Sequence, residues 1–151
     1  MSRQEDTLTL HPPEPLVEDG LRWLQTIADR DDWPQKLHFQ LMLCLEEALA
    51  NLTSHAFPAD AKSGVPAAVP EIELHCRRVG PAIHLEVIDN GVAFDPTAAT
   101  LSPVALTLDD TLPGGHGLRL MRSSLSDMTY RREGDRNRLT LISHEAWPNA
   151  N

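Results

Sequence analysis

A carboxylate, an amide and an imidazole recur at four-residue spacing within one apolar segment, at Glu47, Asn51 and His55. Residues four apart lie on one face of an α-helix, and the apolar residues beside them repeat with helical spacing. Oxygen-bearing side chains at the edge of a buried helix face can hold a water molecule and a hydrated Mg²⁺. The alternative is a solvated face of an amphipathic helix, which this segment alone favours.

A second candidate group is Asp89-Asn90-Gly91, at the end of a segment with the alternation of a strand. A carboxylate at this position can accept a hydrogen bond from an exocyclic amine, such as the amine of adenine. Gly91 has no side chain, so the backbone can approach a flat ring. Taken alone, the same residues also fit an ordinary Asp-Asn-Gly turn.

The third group is a glycine-rich run, Pro113 to Gly117, which leads into the apolar residues Leu118, Leu120 and Met121. Backbone N–H groups and the helix dipole at such a helix start form an anion site. A flexible linker with a glycine-rich cap is the alternative. The run is not a Walker motif, because Gly-Lys-Ser/Thr is absent from it.

The periodicity of the chain predicts the elements that must position these groups. Their order predicts a single domain, residues 1–151, with an α/β fold: a two-layer sandwich of one mixed, mostly antiparallel sheet with three helices on one face. The predicted elements are a strand at Thr7–Leu10, helices at 14–29, 34–55 and 116–125, a loop at 58–70, a hairpin of 71–79 with 82–89, a long loop at 90–115 and a hairpin of 128–132 with 138–143.

Composition excludes several classes of function. The 151 residues carry 22 acidic and 13 basic side chains, a net charge of −9, which disfavours binding to nucleic acid. Residues 1–60 hold −7 of this charge; that surface can meet a basic partner or is simply solvated. The longest apolar run is the five residues Leu41–Leu45, far too short to span a membrane. With no signal-peptide core and no metal spacing of Cys44 and Cys76, we expect a cytoplasmic protein.

In this order and at these spacings, the three groups resemble the ATP-binding domain shared by gyrase, histidine kinases, heat-shock chaperones and mismatch-repair ATPases (the Bergerat-type fold). Within it, the chain is most similar to the stand-alone anti-sigma-factor serine kinases, the RsbW-like family. The resembling segments are Glu47–Asn51 with His55–Phe57 (the Asn-containing box), Asp89–Pro96 (the first glycine box), Gly114–Met121 (the second) and Asn137–Leu141 (the closing strand). The resemblance extends from Thr7 to Ser143.

The resemblance implies ATP and Mg²⁺ as ligands and assigns a role to each matching residue. Asn51 would ligate a Mg²⁺ that bridges the phosphates, and Glu47 would be the general base. Asp89 would bind the adenine amino group, with Thr140 assisting through water, and Gly91 would make room for the base. The backbone N–H groups that would contact the phosphates belong to Gly115, His116, Gly117 and Leu118.

Two residue patterns depart from the family. Ala93 stands in the adenine-binding segment where the wider superfamily often has a second glycine, and its methyl group would narrow the pocket slightly. Residues 97–113 would be the ATP lid, yet they contain Asp109 and Asp110 and no Lys or Arg. Phosphoryl transfer depends on charge stabilisation, so the remaining candidates for a cation are Arg119 and Arg122.

The resulting hypothesis is an ATP-binding anti-sigma-type regulator that sequesters a sigma factor and phosphorylates an anti-anti-sigma (STAS-type) partner on Ser or Thr. The resemblance also implies a homodimer. One alternative is an ATP-dependent partner-binding module without kinase activity, favoured by the lid that lacks a cation and disfavoured by Glu47. Another is the catalytic fragment of a histidine kinase. We disfavour that fragment because His11, beside Pro12-Pro13, is a poor phospho-acceptor.

Overall fold

Five strands and two helices make up the described part of the chain. A computed structural model describes residues 5–12, 14–53, 69–96 and 125–145. The elements in chain order are β1 (Glu5–Leu10), α1 (Leu16–Arg30), α2 (Gln35–Asn51), β2 (Ile72–Val79), β3 (Ala82–Asp89), β4 (Asp127–Glu133) and β5 (Arg136–His144).

All five strands form one sheet, in the order β1-β2-β3-β5-β4. Every pair of neighbours is antiparallel. The sheet predicted as mixed and mostly antiparallel is thus entirely antiparallel among the described residues, because each strand pairs with a neighbour that runs the opposite way. The pairing of β3 with β5 places Asp89 directly opposite Asn137, and paired residues extend their side chains from the same face of a sheet.

The two helices cover one face of this sheet, so the predicted two-layer α/β sandwich is confirmed for the described residues. Alternation along the strands places most of their apolar residues beneath the helices and most of their polar residues on the other face; Asp89, Asn137 and Ser143 are buried polar exceptions. The deepest core side chains come from both helices and three strands: Leu24, Leu37, Leu41, Leu45, Leu49, Ile72, Leu74, Ile83, Leu85 and Leu141. The third predicted helix, at 116–125, lies outside the described residues except for Leu125, which is not helical.

Helix α1 packs closely against α2 at Gly20. A Cβ atom built on Gly20 would lie 2.5 Å from Leu49 Cδ1, closer than non-bonded carbon atoms can approach. The absence of a side chain at Gly20 therefore lets α1 pack closely against α2, the helix that carries Glu47 and Asn51. The α-helical part of α2 ends at Asn51, and Leu52 and Thr53 continue it as a π-helical turn; residues 54 and 55 of the predicted helix lie outside the described residues.

Both predicted hairpins are confirmed, and each turns through a glycine with positive φ. Gly80 (φ 61°) joins β2 to β3, and Gly134 (φ 62°) joins β4 to β5. Other residues rarely adopt this backbone conformation. Neither described helix combines the length and the apolar character that crossing a membrane requires.

Candidate functional site

Asp89 ends the central strand β3 and is a buried carboxylate, with 2% of its surface exposed. Its Oδ1 atom accepts a hydrogen bond from the backbone N–H of Gly91 and another from Asn137 Nδ2, each at 2.8 Å. Burial raises the pKa of Asp89, because a charged carboxylate is poorly solvated there, while these two hydrogen bonds and the nearby Arg132 and Arg136 oppose the rise. The carboxylate is thus fixed in place.

Asn137, near the start of β5, is the centre of the hydrogen bonds around Asp89 and was missed in the sequence analysis. It is 3% exposed. Its Nδ2 also donates to the Val92 carbonyl oxygen at 2.8 Å, and its Oδ1 accepts from the Tyr130 hydroxyl. The signal that could have found it is alternation: Leu139 and Leu141 are buried, so Asn137 lies on the same face as they do.

Asn51, the last residue of α2, is the second buried polar group of the site. It is 6% exposed, and its Nδ2 atom has no hydrogen-bond partner among the described residues. Buried amides are nearly always hydrogen-bonded. An unpartnered amide that lines a cleft therefore indicates a ligand group that the described residues do not supply.

A cleft between α2 and the sheet brings Asp89, Asn137 and Asn51 together, with about 310 Å³ of space including its opening to solvent. Wider grooves of about 810 and 720 Å³ lie along α1, but their linings include no buried polar side chain among the described residues. We therefore place the candidate site in the smaller cleft. Its walls are formed by Ala48, Asn51, Leu52, Val87, Asp89, Phe94, Pro96, Tyr130, Asn137 and Leu139.

Glu47 lies one helical turn before Asn51 on α2, which places both side chains on one face of the helix. It is half-buried, whereas its neighbour Glu46 is exposed. Burial raises the pKa of Glu47, and the negative charge of Glu46 raises it further. A carboxylate with a raised pKa is a better proton acceptor than an ordinary surface carboxylate.

The structure does not bring Thr140 to this cleft. Thr140 is paired with Glu86 and lies three residues from Asn137, an odd number, so it extends from the opposite face of the sheet. The interpretation of Thr140 as an adenine-assisting residue is therefore not supported, and Asn137 has the required position. Ala93 is exposed, and Phe94 and Pro96, rather than Ala93, line the cleft.

Gly91 is buried beside Asp89, and its carbonyl oxygen accepts a hydrogen bond from Arg132 Nη1 at 2.8 Å. Several predicted site elements fall outside the described residues and stay predictions. They are His55, the lid at 97–113, the cations Arg119 and Arg122, and the phosphate-binding residues Gly115, His116, Gly117 and Leu118.

The family profile of the histidine kinase-like ATPase domain matches residues 13–143. This chain belongs to the histidine kinase-like ATPase domain family. A relative, the serine/threonine-protein kinase BtrW of Bordetella bronchiseptica, is 47% identical over 146 residues, which cover 97% of this chain and 98% of that protein. The resemblance stated from the three motifs is thus confirmed. The family match includes both helices and every described residue of the cleft.

The cleft residues fit Mg²⁺ only as an ion shared with a nucleotide. Among the described residues, no cluster of three or more His, Cys, Asp or Glu side chains could hold a metal alone. Mg²⁺ commonly takes one or two protein ligands together with substrate phosphates. The side-chain oxygen of Asn51 would ligate the ion beside the phosphates, and its unpartnered Nδ2 atom would donate to a phosphate oxygen.

Proposed function

We propose that this protein binds Mg-ATP in the cleft between Asp89 and Asn51 and transfers the γ-phosphoryl group to a Ser or Thr hydroxyl of a partner protein. One observation carries the proposal: a fixed buried carboxylate and an unpartnered buried amide line the same cleft. Asp89 suits an amino group of the base, and Asn51 suits the phosphates with their ion. Family membership and the name of the 47% identical relative support the same reaction.

In the proposed reaction, Glu47 accepts the proton of the partner's hydroxyl group. The hydroxyl oxygen then forms a bond to the γ-phosphorus, the bond from that phosphorus to the β–γ bridging oxygen breaks, and ADP leaves with the electron pair. When bound, Mg²⁺ would neutralise part of the phosphate charge. Because the pKa of Glu47 is raised, transfer should increase with pH as this carboxyl group loses its proton.

The proposed partners are a sigma factor, which the protein would sequester, and an anti-anti-sigma (STAS-type) protein, which it would phosphorylate in the cytoplasm. A phosphate adds about two negative charges to a surface. The first 60 residues carry a net charge of −7, so a partner that becomes more negative would be repelled from that surface. We also propose that the protein acts as a homodimer.

Phosphate transfer to a partner recovered from cells by affinity capture tests the kinase proposal. Glu47→Gln keeps the size of the side chain but removes the base, so transfer should fall by about 100-fold or more while ATP affinity changes little. Glu18→Gln, at an exposed position of α1 away from the cleft, is the matched control and should transfer at the wild-type rate.

Two results would contradict the proposal in different ways. Wild-type protein that binds no adenine nucleotide in calorimetry would exclude the ATP site altogether. If wild-type protein binds ATP and transfers no phosphate, while ATP still changes its affinity for the partner, the protein is instead an ATP-dependent binding module. That alternative is favoured by the absence of Lys and Arg from residues 97–113.

A further inference from the structure

The side-chain amide of Asn137 can be oriented in only one way. Hydrogen-bond donors surround its Oδ1, and acceptors surround its Nδ2. A flipped amide would set donor against donor and acceptor against acceptor at each of these contacts. The donors are the Tyr130 hydroxyl, Arg132 Nη1 at 3.2 Å and the Phe94 N–H at 3.4 Å; the acceptors are Asp89 Oδ1 and the Val92 carbonyl oxygen, each at 2.8 Å.

This orientation divides the two oxygens of Asp89 between the protein and the cleft. Oδ1 accepts from Asn137 and from Gly91, whereas no donor from the described residues reaches Oδ2. An ionised carboxylate oxygen can only accept hydrogen bonds. The free Oδ2 therefore matches a ligand amino group and repels a ligand carbonyl oxygen.

We propose that Asn137 is a positioning residue that sets base specificity: its donation to Asp89 Oδ1 makes the cleft select a 6-aminopurine over a 6-oxopurine. The proposal rests on the adenine-nucleotide site of the proposed function. Asn137 would not touch the base itself but would act through Asp89.

The charges around Asp89 indicate what happens when this donor is removed. Strand β4 contributes Arg132 and the Tyr130 hydroxyl, β5 begins with Arg136, and the residues of α2 that line the cleft carry no charge. The pKa of Asp89 is already raised by burial, and the Asn137 hydrogen bond opposes this rise. Without that bond, the pKa rises further. A protonated Asp89 can donate to a 6-oxo group, so discrimination between the two purines weakens.

Calorimetry with ADP and with inosine diphosphate, which carries oxygen in place of the 6-amino group, tests the proposal on the full chain. Wild-type protein should prefer ADP. In Asn137→Ala the preference should fall by about tenfold or more, as expected for loss of a hydrogen bond to a charged group. The loss of ADP affinity on acidification should also begin at a higher pH than in the wild type, because the carboxylate is protonated earlier.

Ser143→Ala is the matched control. Ser143 is a buried polar residue on the same strand and face, and its hydroxyl donates to Gln40 Oε1 at 2.8 Å, away from the cleft. This variant should keep the wild-type preference. Asn137→Leu, whose side chain has a similar branched shape but no hydrogen-bond donor, provides a second test if the alanine variant does not fold. The bond to Asp89 Oδ1 is lost in this variant too, so the preference for ADP should again fall.

The outcomes separate this inference from the proposed function. Failure of wild-type protein to bind ADP would overturn the nucleotide site and this inference with it. If wild-type protein binds ADP and folded Asn137 variants keep the ADP preference, or lose both nucleotides by the same factor with no change in pH dependence, only the positioning role is overturned.

Discussion

Replacement of Asp89 by Asn should weaken nucleotide binding and at the same time stabilise the empty protein. The amide has the size of the carboxylate, and its Oδ1 can keep both hydrogen bonds, from Gly91 and Asn137. The NH₂ group then takes the place of the free Oδ2. A ligand amino group would meet a donor where it needs an acceptor, in a side chain that is only 2% exposed.

The size of the binding loss follows from that mismatch. A buried polar group left without its partner costs about 1–3 kcal/mol. Since about 1.4 kcal/mol corresponds to a factor of ten in affinity, we expect ADP to bind about 5- to 150-fold more weakly. Glu86→Gln makes the same chemical change on the opposite face of β3 and should leave ADP affinity unchanged.

The stability effect has the opposite sign. The folded-state pKa of Asp89 lies above its ordinary value of 3.8, so the folded protein holds this proton more tightly than the unfolded chain. The stability therefore falls as the pH rises from 3.8 through the folded-state pKa, and the full penalty is present above it. Because Asp89→Asn removes the titrating charge, its melting temperature without nucleotide should exceed that of the wild type at pH 7. This gain should shrink as the pH falls towards 3.8.

Calorimetry with ADP and thermal melts without nucleotide at pH 7 and pH 4 measure both effects. An Asn variant that binds ADP as tightly as the wild type would show that Asp89 does not face the amino group. A variant that melts below the wild type at pH 7 would show that the Asp89 carboxylate does not oppose folding.

Three further substitutions test the fold through urea unfolding. Gly20→Ala gains about 1 kcal/mol of helix propensity but crowds Leu49, which costs about 1–3 kcal/mol, so a net loss is expected; a more stable variant would contradict the close helix packing. Asp6→Asn removes a paired carboxylate whose pKa is lowered chiefly by its hydrogen bonds to Arg30. It should lower the free energy of unfolding by less than about 1 kcal/mol, and this difference should disappear as the pH falls below 3.8; a difference that persists there would contradict the ion pair. Leu41→Ala, at a fully buried position, should cost about 2–5 kcal/mol; a smaller cost would mean that the site can collapse around the cavity.

Local patterns were sufficient to predict the elements and the two hairpins, but not the order of the strands in the sheet. The alternation of β2 and β3 and the glycine turn at Gly80 predicted that hairpin, because two-residue turns and period-two burial are local properties. The choice between a mixed and an antiparallel sheet depends on which distant strands become neighbours. Nothing within β1 or β5 specifies that β3 lies beside β5 instead of β4.

The difference between local patterns and long-range pairing also explains why Asp89 was predicted and Asn137 was not. Asp89 was identified from its own surroundings, at the end of an apolar strand before a glycine. Asn137 lies 48 residues further along the chain, and only the strand register brings its amide to the Asp89 carboxylate. Thr140 was predicted to assist adenine binding because of the family resemblance. Successive side chains of a strand point to opposite faces of the sheet, however, so a change of one position moves a residue away from the site.

The crossover from β3 to β4 has a consequence for how such a domain can diversify. Both strands run antiparallel to β5, which lies between them, and the 37 residues from 90 to 126 connect them. Asp89 and Asn137 are joined by strand pairing, not by this connection. Insertions and deletions between Pro96 and Leu125 can therefore be inherited while the recognition of the base is preserved. The base-binding residues on β3 and β5 and the segment between Pro96 and Leu125 are thus free to evolve at different rates.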